Sequence, residues 1–331
     1  MMEAYEVLEH EWATFCGCPN TVSCSSGTAA LHLALEALQL PPGSQVIVPE
    51  FTMVACARAV TMAGHVPTFV DCGHYNDGLM DWVKAANAMT DKTKAIMAVH
   101  VYGRKSPSVG IGKDLGRLVI EDLAEAHGVK QHPQTDAACW SFYKNKIVAG
   151  EEGGMVAFKD PAHAALARQL RSLGFTDSHD FTHIPRGHNY RMSNAHAQLV
   201  LKSLSWYEEN VADRRQIEQW YDEYIPRAWH MPARDAVWVY DLRISSMTRD
   251  KQNTIVNALN SCGIACRHAF KPMSSQTEYY LNGIHDITKL NAYRLSREVI
   301  YLPVVPGMAE ADVARYAKTL VQAASAVGLA P

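Results

Sequence analysis

Short apolar runs bounded by turn residues recur at 45–48, 66–70, 95–99, 118–120 and 155–158, with helix-like spacing of apolar positions between most of them. Strands alternating with helices predict an α/β architecture with a mainly parallel sheet, because parallel strands need crossover helices. From about Leu201 the pattern changes to a long polar helix through Tyr221, a strand-like segment at 237–244, a helix over 251–260 and a closing helix over 309–327. The expected organisation is a large α/β domain over 1–205 and a small C-terminal α+β domain over 206–331. No internal repeat or low-complexity tract points to a solenoid or to disorder.

A chain of 331 residues exceeds one average domain, in line with that change of pattern. Hydrophobic residues at 48% and charged residues at 20% supply the material of a packed core. The net charge is −3 and no basic run is dense enough to follow a phosphate backbone, so nucleic acid is not an expected partner. Cys16, Cys18, Cys24, Cys56, Cys72, Cys139, Cys262 and Cys266 lack the paired CxxC spacing of a zinc site; reduced thiols in a cytoplasmic protein are expected. The opening Met-Met-Glu-Ala-Tyr-Glu has no basic region leading into an apolar stretch, and no apolar run reaches the roughly 18 residues of a membrane helix. Neither export nor a membrane span is expected.

Three segments carry residues suited to chemistry. Ser26, Gly27 and Thr28 open a helix whose apolar positions Leu31, Ala34, Leu35 and Leu38 share one face. Free N–H groups, two hydroxyls and the positive end of the helix dipole suit a phosphate there; the same residues also serve as an ordinary Ser/Thr cap. Glu121-Asp122 ends a buried strand, where a carboxylate faces the ligand crevice of an open α/β sheet and can hold a pyridinium nitrogen protonated. Asp122 equally suits the cap of the next helix. Lys146 lies between Ser141 and the turn Gly150-Glu151-Glu152-Gly153-Gly154. A confined lysine loses solvation, its pKa falls and it attacks aldehydes; a lysine beside a glycine turn is otherwise a solvated surface charge.

The segments SSGTAALHLAL (25–35), VPEFTMVA (48–55), VHVYG (99–103), VIEDLAEAHG (119–128), SFYKNK (141–146), GHNYRM (187–192), FKPMSSQ (270–276) and YLP (301–303) are collinear with motifs of the DegT/StrS-type sugar aminotransferases, which the chain resembles from Glu11 to Leu320. The resemblance implies fold type I of the pyridoxal 5'-phosphate (PLP)-dependent transferases, the aspartate aminotransferase-like fold. It further implies transfer of an amino group from L-glutamate to a keto group of a nucleotide-linked deoxysugar. Lys146 is then the residue that carries PLP as a Schiff base and shuttles a proton, and Asp122 the partner of the pyridinium nitrogen. Ser26, Gly27, Thr28 and Ser141 would hold the phosphate, with Glu125 near the cofactor's phenolic oxygen. Asn189 would reach the phosphate of the neighbouring subunit in a homodimer with shared sites. His188 either lies near the substrate or packs.

Four departures accompany the resemblance. Met53 stands where the family usually stacks an aromatic ring on the pyridine, and a thioether packs there with less defined geometry. Glu125 stands where many relatives have glutamine, although perosamine-type members also carry the acid. Glu151 replaces a family glycine in the turn after the lysine. The chain also begins late, without much of the N-terminal segment that in relatives helps to close the substrate pocket. Two other activities compete. A sugar dehydratase using the pyridoxamine form is opposed by Lys146, since such relatives carry histidine there. A PLP-binding regulatory or structural protein would keep the scaffold without transamination.

Gly110-Ile111-Gly112-Lys113-Asp114-Leu115-Gly116 approximates a dinucleotide fingerprint, but its last spacing is one residue too long and no strand is expected before it. It is read as a surface loop. Among the 15 histidines, His127, His183, His188 and His196 show no HExxH-like pairing, and no metal is expected.

Overall fold

Runs of four to seven residues, too short for helices and mostly buried except in the edge strand Val66–Val70, pair side by side into a seven-stranded sheet. In the computed structural model, which describes residues 2–73, 77–176, 181–279 and 286–329, these are β1 (Thr21–Cys24), β2 (Gln45–Pro49), β3 (Val66–Val70), β4 (Thr93–Val99), β5 (Leu118–Asp122), β6 (Ala137–Ser141) and β7 (Gly154–Phe158). Their order is β1-β7-β6-β5-β4-β2-β3. The neighbours from β6 to β3 are parallel, and β7 runs antiparallel to both β6 and β1. All five strands read from the apolar runs are present; β1 and β6 are additional. The sequence of β6, Ala-Ala-Cys-Trp-Ser, holds too few branched apolar residues to stand out as a strand.

Helices cover both faces of the sheet, as its continuous burial requires. They are α1 (Ala4–Cys16), α2 (Gly27–Ala37), α3 (Val54–Met62), α4 (Trp82–Ala88), α5 (Ser108–Asp114), α6 (Pro161–Arg171), α7 (Asn194–Ser205), α8 (Tyr207–Tyr224), α9 (Arg249–Ser261), α10 (Asn291–Glu298) and α11 (Glu310–Ala326). On one side α2, with Leu31, Leu33, Ala34 and Leu35 buried, packs on β6, β7, α3 and α6. On the other, Leu8 and Trp12 of α1 meet Trp140, Phe142 and the α7 residues Ala197 and Val200.

Three expectations are corrected. The 110–116 segment is not a loop: it contributes to α5, which follows β4. A Cβ on Gly112 would fall 2.7 Å from Val119 Cγ2, so this glycine serves close helix-to-sheet packing. The long polar helix divides at Trp206, whose N–H turns back to Ser203 and Leu204 carbonyls and whose backbone then starts α8. The strand expected over 237–244 is only β8 (Tyr240–Arg243). The carbonyls of Val237 and Trp238 accept from the buried Arg214 guanidinium, at 3.4 and 3.0 Å, instead of from a neighbouring strand.

β8 belongs to a second, antiparallel sheet with β9 (Arg267–His268) and β10 (Val299–Leu302), in the order β8-β10-β9. It has its own core, in which Ile255 and Leu259 of α9 and Val313 and Leu320 of α11 pack on Leu242 and Ile300. No described helix is long and apolar enough to cross a membrane.

Candidate active site

Strands that run the same way end at the same edge, and the crevice outside their C-terminal ends is where an open α/β sheet can hold a ligand. Here the ends of β1, β2, β4, β5 and β6 contribute Ser26–Thr28, Thr52 and Met53, His100, Asp122 and Ser141 to the wall of one cavity of about 390 Å³.

The first wall is a cradle made by close approach of backbones. Ser26 caps α2, its Oγ accepting from Ala29 N at 3.1 Å. A Cβ on Gly27 would lie 2.7 Å from Ser141 Cβ, and one on Gly154 would lie 2.3 Å from the carbonyl oxygen of Ser26. Both glycines therefore let the β1–α2 turn rest directly on β6 and β7, which brings Ser26, Gly27 and Thr28 to Ser141. A helix start lined by hydroxyls is an anion site.

Asp122, the last residue of β5, is 6% exposed. Its Oδ1 accepts from Ala124 N at 3.0 Å and its Oδ2 from the buried Cys56 Sγ at 3.2 Å. Glu121, its neighbour, does not line the cavity; His132 N and Thr135 Oγ1 donate to it, and it lies 3.1 Å from His100 Nε2.

Lys146 comes from the β6–β7 connection and lies against the Trp238 ring. Its Nζ sits 3.9 Å from the centre of the Trp238 ring and 3.9 Å from Glu125 Oε1. Trp238 Nε1 donates to the Asn145 carbonyl at 2.8 Å, fixing the backbone next to the lysine. Gly103 delivers Trp238: at φ 80° a Cβ there would fall 1.8 Å from Ala236 O, and the Gly103 carbonyl accepts from Asp235 and Ala236 N. Tyr102, buried and left-handed at φ 51°, donates its N–H to Glu125 Oε2 at 2.8 Å. Such backbone strain persists only where the surroundings enforce it. Burial pushes the Glu125 carboxyl up to about 7, against the opposing pull of Lys146. Burial likewise lowers the Lys146 pKa, with Glu125 and Asp122 opposing, which favours the neutral and nucleophilic amine.

Of the residues singled out from sequence, Ser26, Gly27, Thr28, Met53, Asp122, Glu125, Ser141 and Lys146 line this cavity, Met53 while 51% exposed. Asn189 does not: it is exposed and shares a separate depression with Tyr5, Arg171 and Arg191. His188 does not either; it packs on α2, with Nε2 2.6 Å from Glu36 Oε2. Trp238, Phe270, Tyr301, Thr52 and Asn145 also line the cavity and were not singled out. Thr52, Phe270, Tyr301 and Asn145 lay inside quoted motifs; Trp238 had no signal of its own.

The turn after Lys146 keeps a path suited to glycine although Glu151 occupies it. Glu151 is exposed at φ 64°, and its carbonyl accepts from Lys144 N at 3.1 Å. A left-handed non-glycine residue costs about 1–2 kcal/mol, partly offset by glycine's larger entropy loss of about 0.5–1 kcal/mol. Glu151→Gly should therefore raise stability by about 0.5–1 kcal/mol, measured as a shift in urea midpoint at unchanged m-value. A lower midpoint would show that the turn does not store this strain.

The same backbone recurs in a protein of Streptococcus pneumoniae described as a sugar aminotransferase and solved in its PMP form: TM-score 0.89 at 25% identity, over 99% of this chain and 91% of that one. The fold and cofactor are those of a fold type I PLP-dependent aminotransferase. Within that class, the chain belongs to the DegT/DnrJ/EryC1/StrS aminotransferase family, whose model matches residues 3–321. It is 33% identical to the GDP-perosamine synthase of Caulobacter vibrioides, over 95% of this chain and 88% of that protein. It is 31% identical to the UDP-N-acetyl-3-dehydro-alpha-D-glucosamine 3-aminotransferase of Acidithiobacillus ferrooxidans, over 95% and 86%. The residues present fit PLP: a cradle that two Cβ atoms would fill, a buried carboxylate and a desolvated lysine share one cavity.

Proposed function

We propose that this chain moves an amino group from L-glutamate to a keto group of a nucleotide-linked deoxysugar, as a cytoplasmic homodimer. The observation that carries the reading is the desolvated Lys146 amine, 3.9 Å from Glu125, in the cavity that also contains the glycine cradle and Asp122. Two relatives named for different amino sugars, one GDP-linked and one UDP-linked, support the substrate class without selecting a nucleotide.

When bound, PLP supplies an aldehyde that takes up an amino group and a ring that withdraws electrons from the reacting carbon. The chain supplies the rest. Ser26, Gly27, Thr28 and Ser141 hold the phosphate, and the Asp122 carboxylate keeps a proton on the ring nitrogen. Lys146 Nζ carries the proton between carbons in each half-reaction. Glu125, held by Tyr102 N, would stand near the phenolic oxygen with its other carboxyl oxygen, and Met53 would pack against the ring. A panel of nucleotide ketosugars offered with L-glutamate, read by mass, tests the reading. An amino sugar formed together with 2-oxoglutarate supports it; no transfer to any ketosugar removes it.

Asn189 is assigned to the phosphate site of the partner subunit, which its exposed position outside the cavity permits. In a two-fold dimer each chain gives the same residues to its partner. Take Lys146→Ala and Asn189→Ala, each nearly inactive alone. Mixed dimers gather both defects in one site and leave the other intact, so random reassortment should restore roughly a quarter of wild-type activity. If tagged chains exchange and no activity returns, Asn189 serves its own chain.

A further inference from the structure

A second cluster of ionisable groups lies outside the cavity, on α2. His32 and Glu36 stand one turn apart on that helix, and the GHNYRM segment crosses them. His188 Nε2 lies 2.6 Å from Glu36 Oε2, and His32 Nε2 lies 3.7 Å from Glu36 Oε1. The three ligand-type atoms fall within 4.8 Å of one another.

His32 is 2% exposed, yet its Nε2 makes no hydrogen bond among the described residues. Its other nitrogen, Nδ1, is 3.2 Å from Tyr190 Oη. With the proton on Nδ1 and donated to that hydroxyl, Nε2 turns an unshared pair toward a carboxylate oxygen. In that tautomer the contact is repulsive unless a cation lies between the two, whereas the tautomer with the proton on Nε2 turns an N–H toward Glu36 instead. An outer partner on one ring nitrogen is also how metal-binding histidines are held in the required tautomer.

We propose that His32, Glu36 and His188 bind one divalent first-row cation, zinc above all, through the two Nε2 atoms and a carboxylate oxygen. Two imidazoles and a carboxylate suit a borderline ion, with the fourth tetrahedral position left to water. Metal–ligand bonds of about 2.0–2.2 Å place tetrahedral ligands roughly 3.3–3.6 Å apart. The two Nε2 atoms stand 2.6 Å from Oε2 and 3.7 Å from Oε1 of the one carboxylate, on either side of that spacing, so the side chains must turn to bring one oxygen and both nitrogens onto the ion. The third ligand lies 152 residues beyond Glu36, which is why no short histidine motif marks the site.

Binding would fasten the segment carrying Asn189 to α2. That segment already joins the phosphate cradle through Ser25 N, which donates to Tyr190 O at 2.8 Å, and α6 through Tyr190 N, which donates to Arg171 O at 3.0 Å. The site does not depend on which sugar the enzyme takes.

The test is calorimetric titration of zinc into metal-free, PLP-loaded protein carrying Cys262→Ser, which removes the exposed thiol. One zinc per chain is expected, and cobalt in its place should give the visible bands of a tetrahedral site. His188 is partly exposed, so His188→Ala removes a ligand without emptying the core. It and Glu36→Gln should each weaken binding by at least about tenfold to a hundredfold, the loss found for groups that merely orient a ligand. The surface variant His10→Ala should bind as the parent does. Failure of the holoprotein to bind zinc, or one-to-one binding that survives both ligand substitutions, overturns the proposal.

Discussion

Lys146→Ala should lose transamination by at least about a hundredfold to ten-thousandfold, the range supplied by a positioned proton-transfer group. Lys144→Ala should retain it. The two lysines are two residues apart, but Lys144 is exposed while the Lys146 side chain is 11% exposed, facing Trp238 and Glu125. Only the second is desolvated, and desolvation is what frees an amine to attack an aldehyde at neutral pH. The check that separates them chemically is borohydride reduction of the PLP-loaded protein followed by peptide mapping. The pyridoxyl mass should fall on Lys146; its appearance on Lys144 would displace the assignment of the whole cavity.

Asp122→Asn should keep PLP bound and lose about 3–4 kcal/mol of transition-state stabilisation, on the order of a hundredfold to a thousandfold in rate. The variant preserves shape: an asparagine carbonyl can still accept from Ala124 N, which holds this side chain now at 3.0 Å. What it loses is the charge opposite a protonated ring nitrogen. Steady-state kinetics with a retained PLP absorbance band would measure this, and near-normal turnover would exclude Asp122 from the role.

The sequence alone determined the alternation of strands and helices and the order of the site segments. Strands buried on both faces read as continuous apolar runs, and the segments that end them must carry their polar residues to one edge of a parallel sheet. Asp122 was legible from the strand it ends and Ser26 from the helix it caps, whereas Lys146 stood out only through the resemblance and the order of the segments. β6 was not legible, because alanine, cysteine and serine carry little strand preference and only neighbours on both sides make them a strand.

Tertiary structure decided what local pattern cannot encode. Trp238 reaches Lys146 because Gly103 admits the 235–236 backbone, an approach between segments more than 130 residues apart in the chain that neither sequence announces. Val237 and Trp238 look like strand, yet Arg214 takes their carbonyls. The near-fingerprint at 110–116 looks like a loop, yet its glycine provides the close packing of α5 on Val119. His188 looks like part of a substrate motif, yet it lies on Glu36, because the segment that carries it is pinned by Leu170 and Leu173 backbone groups against α2. In each case the deciding partner is far along the chain, and a close approach of backbones or a buried charge, which composition and periodicity do not register, overrides the local preference.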